Sequence, residues 1–217
     1  MGRFSATNEP VRGYSIPTKM SIKTELDAVV AKYDLLGHPF YQAWSAGTLP
    51  TEALASYAAE YGAFVQTVPA GWAAHGDVTT SIEEVQHAVL WERFANALGT
   101  TSLSSPRLGA TKRLVDDCCE LYKSPATALG GLYAFEAQQP NTAKSKFEGL
   151  EEHYASLPED VKPYFAVHID DIHEREWIVE RLSALPEAEQ KAAVEACEKV
   201  AKGLWDALIE IHAPYCA

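Results

Sequence analysis

Residues 81–99, SIEEVQHAVLWERFANALG, settle the fold class and pose the functional question at once. No stretch here keeps the two-residue alternation of a strand, and Ser81 followed by Glu84 three positions on reads as a capping box that opens a helix. Glu84 and His87 are three residues apart, so a helix sets them on one face. Two readings follow. Either the carboxylate and imidazole hold one metal from one helix, with Glu83 as an alternative to Glu84, or Glu84 serves only the cap while His87 packs at the edge of the core.

Working outward, Glu136 stands alone in the apolar run LGGLYAFEAQQP (129–140), where Leu132, Tyr133, Phe135 and Ala137 predict burial. A lone buried carboxylate needs a partner or a strongly raised pKa, and a salt bridge to a distant Arg or Lys serves as well as a metal. The densest cluster is YFAVHIDDIHEREW (164–177), with His168, Asp171 and His173. His168 and Asp171 share a face of a regular helix, whereas His173 is rotated away by roughly 140°, so both histidines reach one centre only if the helix is bulged or locally unwound. A solvated charged face is the competing reading, because Glu174, Arg175 and Glu176 follow. Carboxylates and imidazoles are costly inside a helical bundle unless neutralised, and a metal does that well. Glu plus Glu-x-x-His on facing helices is the ligand grammar of di-iron and di-manganese carboxylate proteins.

The remaining sequence also reads as helices. IKTELDAVVAKYDLL (22–36) has apolar residues on a 3.6-residue repeat, and HPFYQAWSAG (38–47) is a short helical piece starting at His38. Thr51 is expected to cap a helix that stops near Pro69, Pro140 to kink a long helix over 126–157, Pro158 to open one reaching about Leu182, and Pro186 to open the last. The expectation is an all-α bundle of about seven or eight helices in one domain over 21–217, preceded by a polar, flexible extension over 1–20. His75 reads as a loop residue and His153 and His212 as exposed.

Composition narrows the function classes. Thirty acidic against eighteen basic residues give a net charge of -12, which argues against binding nucleic acid or anionic membranes. No apolar run approaches a membrane span, and the first residues carry no signal-peptide core. The adjacent Cys118–Cys119 with distant Cys197 and Cys216 forms neither a disulfide framework nor a zinc motif, which points to a reduced, cytoplasmic setting. P-loop, dinucleotide-fold and nucleophile-elbow motifs are absent.

LLGHPFYQAWSAGTLPTEALASYAAEYGAFVQTVP (35–69) resembles the opening of the TenA/PqqC group with the haem-oxygenase-like fold. HAVLWERFANALG (87–99), LYAFEAQQPNTAKSKFEGL (132–150) and YFAVHIDDIHEREW resemble, more specifically, the CADD-like branch (chlamydial protein associating with death domains) of the haem-oxygenase-like di-metal oxidases. The resemblance implies two iron ions, or iron with manganese, and dioxygen as co-substrate. It implies Glu84 (or Glu83), His87, Glu136, His168, Asp171 and His173 as metal ligands. It implies para-aminobenzoate synthesis for folate in which Tyr41 is consumed and Lys146 donates the amino group, in a homodimer with a small-molecule or self-derived product. Two departures are visible: EEVQH is compact, and the His–Asp–His interval is two residues shorter than the family pattern. The alternatives are a di-metal oxidase acting on an external fatty or amino acid, and a metal-free TenA/PqqC-type enzyme or binding scaffold.

Overall fold

The computed structural model describes residues 20–170 and 173–216; the expected N-terminal extension lies outside the described residues, apart from the exposed Met20. Eleven α-helical segments are present among them: α1 Ile22–Lys32, α2 Pro39–Ser45, α3 Thr51–Val65, α4 Val68–Ala74, α5 Val78–Ala97, α6 Gly109–Leu121, α7 Pro125–Glu136, α8 Gln139–His153, α9 Pro163–Val167, α10 His173–Ser183 and α11 Glu187–His212. The all-α expectation holds, and the larger number of segments comes from breaks that divide longer runs.

Those breaks have local causes. Beyond Val65, Thr67 Oγ1 donates to the Phe64 carbonyl (2.7 Å), and Pro69 then sits in the first turn of α4 without an N–H to donate. The helix expected to reach Pro69 therefore stops at Val65, and Pro50, not Thr51, occupies its N-cap position. Between α7 and α8 the Gln138 amide takes over capping work, accepting from Leu35 N (2.8 Å) and donating to the Ala134 carbonyl (3.0 Å). The expected helix from Pro158 to Leu182 becomes a 3₁₀ turn, α9 and α10. Its interruption has a side-chain origin. His168 Nδ1 donates to the Tyr164 carbonyl (2.6 Å), the acceptor that a continuing helix would offer to the His168 backbone, while His168 N turns to the Phe165 carbonyl (3.2 Å).

The capping box at Ser81 does not form. Asp77 caps α5, accepting from Thr80 N (3.0 Å), because Gly76 at φ +91° turns the chain out of α4 just before it. Ser81 Oγ donates instead to the Pro69 carbonyl (2.8 Å), and Glu84 is released to the interior, 3% exposed.

One contiguous apolar cluster runs from Ile22 to Ile211, with α11 laid against α7, α6 and α1. At the α7–α11 crossing a Cβ on Gly130 would lie 2.0 Å from the Ala193 carbonyl oxygen, so only glycine lets the two helices approach this closely. A second, aromatic part of the core, comprising Trp44, Tyr57, Tyr61, Trp91, Tyr164 and Phe165, joins α2, α3, α5 and α9 through edge and tilted ring contacts. Burying each such ring contributes about 2 kcal/mol or more. No described helix is long and apolar enough to cross a membrane.

His38 caps α2 by accepting from Phe40 N (3.0 Å), its ring edge-on to Trp205 and its Nε2 buried without a hydrogen-bond partner among the described residues. Burial, reinforced by His212, pulls its pKa from 6.5 down to about 4. Between those values the unfolded chain holds the proton and the folded chain does not, so stability falls as the pH drops. His38→Asn keeps a cap acceptor but cannot titrate. In thermal melts the variant is expected to lose about 2 kcal/mol less than the wild type between about pH 7 and pH 5. Equal losses in both proteins would refute the assignment.

Candidate active site

Two polar groups lie inside the bundle, and both are built from segments that the helix breaks re-aim. The first joins α5 to the end of α9. Glu84, His87 and His168 bring one potential ligand atom each within 4.8 Å of one another, the one such group found among the described residues. Glu84 and His168 are buried, and the His87 side chain is one-fifth exposed. His87 Nδ1–H donates to Glu84 Oε1 (3.0 Å), and the two imidazoles meet edge to face with centroids 4.5 Å apart.

The hydrogen bond that ends α9 also sets the tautomer of His168. With Nδ1 protonated toward the Tyr164 carbonyl, Nε2 carries the lone pair, and it is buried with no hydrogen-bond partner among the described residues. Burial, with His87 and Lys146 nearby, draws the His168 pKa down to about 3, so the ring stays neutral. A neutral imidazole that gives its other N–H to a backbone carbonyl is how metal-binding histidines are held. One hard carboxylate and two imidazoles suit Fe(II) or Mn(II). The residues present therefore fit a metal ion at this point.

Glu136 closes α7, 3% exposed, and accepts the Trp72 indole N–H (3.2 Å). It stands outside the close trio but faces the same phenol. The pKa of Tyr164 is raised well above its usual value by burial first and then by the charges of Glu84 and Glu136. Gln139 Nε2 donates to the Tyr164 hydroxyl (3.0 Å). Asp171 lies outside the described residues. His173 opens α10, exposed, on the rim of a shallow hollow shared with Glu83, so neither belongs to the trio. The break after Val167 moves His173 onto a separate helix.

The second group is a lysine sealed among phenols. Lys146, on α8 and 3% exposed, donates from Nζ to the hydroxyls of Tyr41 (3.2 Å) and Tyr57 (3.1 Å), which are 3.3 Å apart. Its ammonium faces the rings of Tyr41 at 4.7 Å and Phe165 at 5.1 Å. Desolvation lowers the Lys146 pKa to about 7, so a large share of the amine is uncharged near neutrality. Burial pushes Tyr41 up to about 12 and Tyr57 and Tyr61 well above the usual phenol range. An amine that is partly uncharged near neutrality thus lies against protonated phenols with water shut out. Tyr41 is carried by α2, which His38 starts, and Lys146 is tied down where the Trp44 indole donates to its carbonyl (3.1 Å). Tyr57, Tyr61 and Tyr164 complete the site and were not singled out from sequence; the i, i+4 pair in SYAAEYGAF was the available signal.

A family model described as iron-containing redox enzyme, of the haem-oxygenase-like group, matches residues 55–205. The 4-aminobenzoate synthase of Nitrosomonas europaea is 32% identical, covering 91% of this chain and 93% of its own. That of Chlamydia muridarum is 28% identical over 86% of this chain and 88% of its own. Among solved structures, a TenA homologue from Pseudomonas syringae superposes with a TM-score of 0.72 at 15% identity, over 88% of this chain and 91% of that one. A CADD-like protein from Nostoc punctiforme gives 0.57 at 16% identity, over 88% and 96%. At such identities the two structures speak for the fold alone.

If the trio holds metal, anaerobic Fe(II) should raise the melting temperature. A ligand at a hundredfold excess over its Kd adds about 3 kcal/mol. His168→Gln and Glu84→Gln are each expected to remove the shift while leaving the metal-free protein folded. An undiminished shift in His168→Gln would rule the trio out.

Proposed function

Since the chain belongs to the haem-oxygenase-like family of iron-containing redox enzymes, we propose that it makes 4-aminobenzoate from its own Tyr41, with Lys146 as the amino donor. The observation that carries this reading is the Lys146 amine 3.2 Å from the Tyr41 hydroxyl in a dry, aromatic box. The chemistry of the product explains why that contact matters. 4-Aminobenzoate is a benzene ring with nitrogen and a carboxyl carbon para to one another. A tyrosine side chain is the same ring with oxygen and Cβ in those places. Conversion exchanges the ring–oxygen bond for a ring–nitrogen bond with the oxygen leaving as water, breaks the Lys146 Nζ–Cε bond to free the nitrogen, cleaves Cα–Cβ and oxidises Cβ to the carboxylate with dioxygen as oxidant. An amine held beside the phenolic carbon–oxygen bond is placed for the first exchange.

We assign Glu84, His87 and His168 to one metal, with Glu136, Asp171 and His173 as the further donors that the family resemblance implies. Iron there, alone or with manganese, would supply the oxidising power with dioxygen as the terminal oxidant. The protein's own part is positional and acid–base. Desolvation keeps the Lys146 amine partly uncharged and hence nucleophilic, Tyr57 holds that amine against Tyr41, and the surrounding rings exclude water that would compete for an oxidised ring. Tyr164 stands between the two groups, facing both carboxylates and contacting Phe165, whose ring lies over Lys146.

A second reading has an observation of its own. A cavity of about 390 Å³ reaches Glu136 past Lys23, Arg175 and Asn141, which suits a small external acid as substrate. Turnover number separates the two readings, because a consumed tyrosine allows no more than one product per chain.

We also propose a cytoplasmic homodimer. Cys118, Cys119, Cys197 and Cys216 are all free thiols. On α5 the side chains of Val78, Ile82, Val85 and Val89 are exposed at intervals of four, three and four residues, the spacing of a helix-pairing seam. Thr79, Ser81, Gln86 and Ala88 beside them are uncharged, and Glu92 and Arg93, one turn on from Val89, carry opposite charges.

Tyr41→Phe is expected to abolish 4-aminobenzoate formation with metal content unchanged, and Lys146→Arg to do the same. Tyr57→Phe should slow formation without abolishing it. A normal yield from Tyr41→Phe would end the self-consumption reading. For the dimer, Val85→Glu is expected to shift sedimentation to the monomer; an unchanged dimer would exclude the α5 seam.

A further inference from the structure

A cavity of about 590 Å³ lies away from the two buried groups, between the α4–α5 turn, the start of α7 and the end of α10. Its walls combine features that neither the fold nor the proposed reaction requires. Arg181 has no carboxylate within ion-pair distance among the described residues, in a chain with thirty acidic side chains. Its guanidinium lies 4.7 Å over the Trp177 ring, one helical turn back on α10, which fixes its plane. His75 also lies against Trp177, with centroids 4.9 Å apart, and His75 Nε2 is buried with no hydrogen-bond partner among the described residues. Pro125, at the start of α7, adds an apolar wall. The acid in the wall, Asp77, is already engaged by Thr80 N and Thr80 Oγ1, both at 3.0 Å. Leu129 and Leu185 make the rest apolar.

A stacked guanidinium with no ion-pair partner among the described residues and flat aromatic walls beside aliphatic ones are the elements that bind a planar anion. We propose that this cavity binds an aromatic carboxylate, with the carboxylate on Arg181 and the ring against Trp177 and His75. The volume admits a ligand of one or two rings. The site is one indole away from the first polar group, because Trp177 packs at 5.7 Å on Trp72, whose N–H is held by Glu136. Occupancy can therefore be felt at Glu136, which makes the cavity a natural holding or feedback site for an aromatic acid formed in the interior. The choice of probe and the feedback role rest on the proposed function; the binding itself does not.

Isothermal titration of the full-length protein with 4-aminobenzoate tests it, with aniline as the ring without the anion and acetate as the anion without the ring. Saturable one-to-one binding of 4-aminobenzoate and none of the two fragments is expected. Arg181→Gln should weaken it by about tenfold or more, with Arg181→Lys falling between because the charge remains but the fork is lost. Lys146→Met should bind as the wild type, which separates this cavity from the phenol-lined box. Absence of saturable binding, equal affinity for aniline, undiminished binding in Arg181→Gln, or loss of binding in Lys146→Met would each overturn the proposal. A product assay on the same samples reads the synthesis independently: binding without synthesis leaves the cavity standing, and synthesis without binding removes it.

Discussion

The hydrogen bond from His168 Nδ1 to the Tyr164 carbonyl is the contact on which the interior depends. By occupying an acceptor that a further helical turn would use, it ends α9. By fixing the proton on Nδ1, it leaves Nε2 as a bare, buried donor atom facing Glu84 and His87. By anchoring Tyr164, it stations a phenol between the carboxylates and the aromatic box around Lys146. A helix that continued smoothly from Pro163 would supply none of these. The irregularity is therefore the device that assembles the site, as helix interruptions near functional groups commonly are.

The second constraint is the dry environment of Lys146. An ammonium in an aromatic pocket is unfavourable, and with no carboxylate partner among the described residues the group responds by surrendering its proton near neutrality. The same burial keeps Tyr41 and Tyr57 protonated. Desolvation, acting on one amine and two phenols, thus sets an uncharged amine beside a neutral phenol, the arrangement the proposed carbon–nitrogen bond formation needs once the ring is oxidised. Stability and chemistry draw on the same feature here, because the rings that exclude water from Lys146 are also the core that joins α2, α3, α5 and α9.

Much of this was legible in the chain. The run of helices, the burial of Glu136 in LGGLYAFEAQQP and the shared face of Glu84 and His87 follow from periodicity and spacing, and the family resemblance pointed to Tyr41 and Lys146. Local rules failed where a stronger neighbour intervened. Ser81 and Glu84 read as a capping box, but Asp77 after the left-handed Gly76 captures the helix start, which is what frees Glu84 for the interior. His168 and His173 read as one helix because the side chain that breaks it is a histidine, a residue with no breaking propensity of its own. Tyr57 carries no local signal of its role, and only the folded structure shows that it shares the lysine of α8. The first two were decided by short-range contacts that a propensity reading does not weigh, and the last by a tertiary partner absent from any local window.

The central claim is that the product is cut from the protein itself. Its most direct test is a single exposure to dioxygen of Fe(II)-loaded protein carrying isotopically labelled lysine and tyrosine, followed by mass spectrometry of the released small molecule and of the peptides bearing Tyr41 and Lys146. The account predicts 4-aminobenzoate whose nitrogen carries the lysine label and whose ring carries the tyrosine label, in no more than one copy per chain, with both peptides altered in mass. Unlabelled product, or labelled product beside intact Tyr41 and Lys146 peptides, would contradict it.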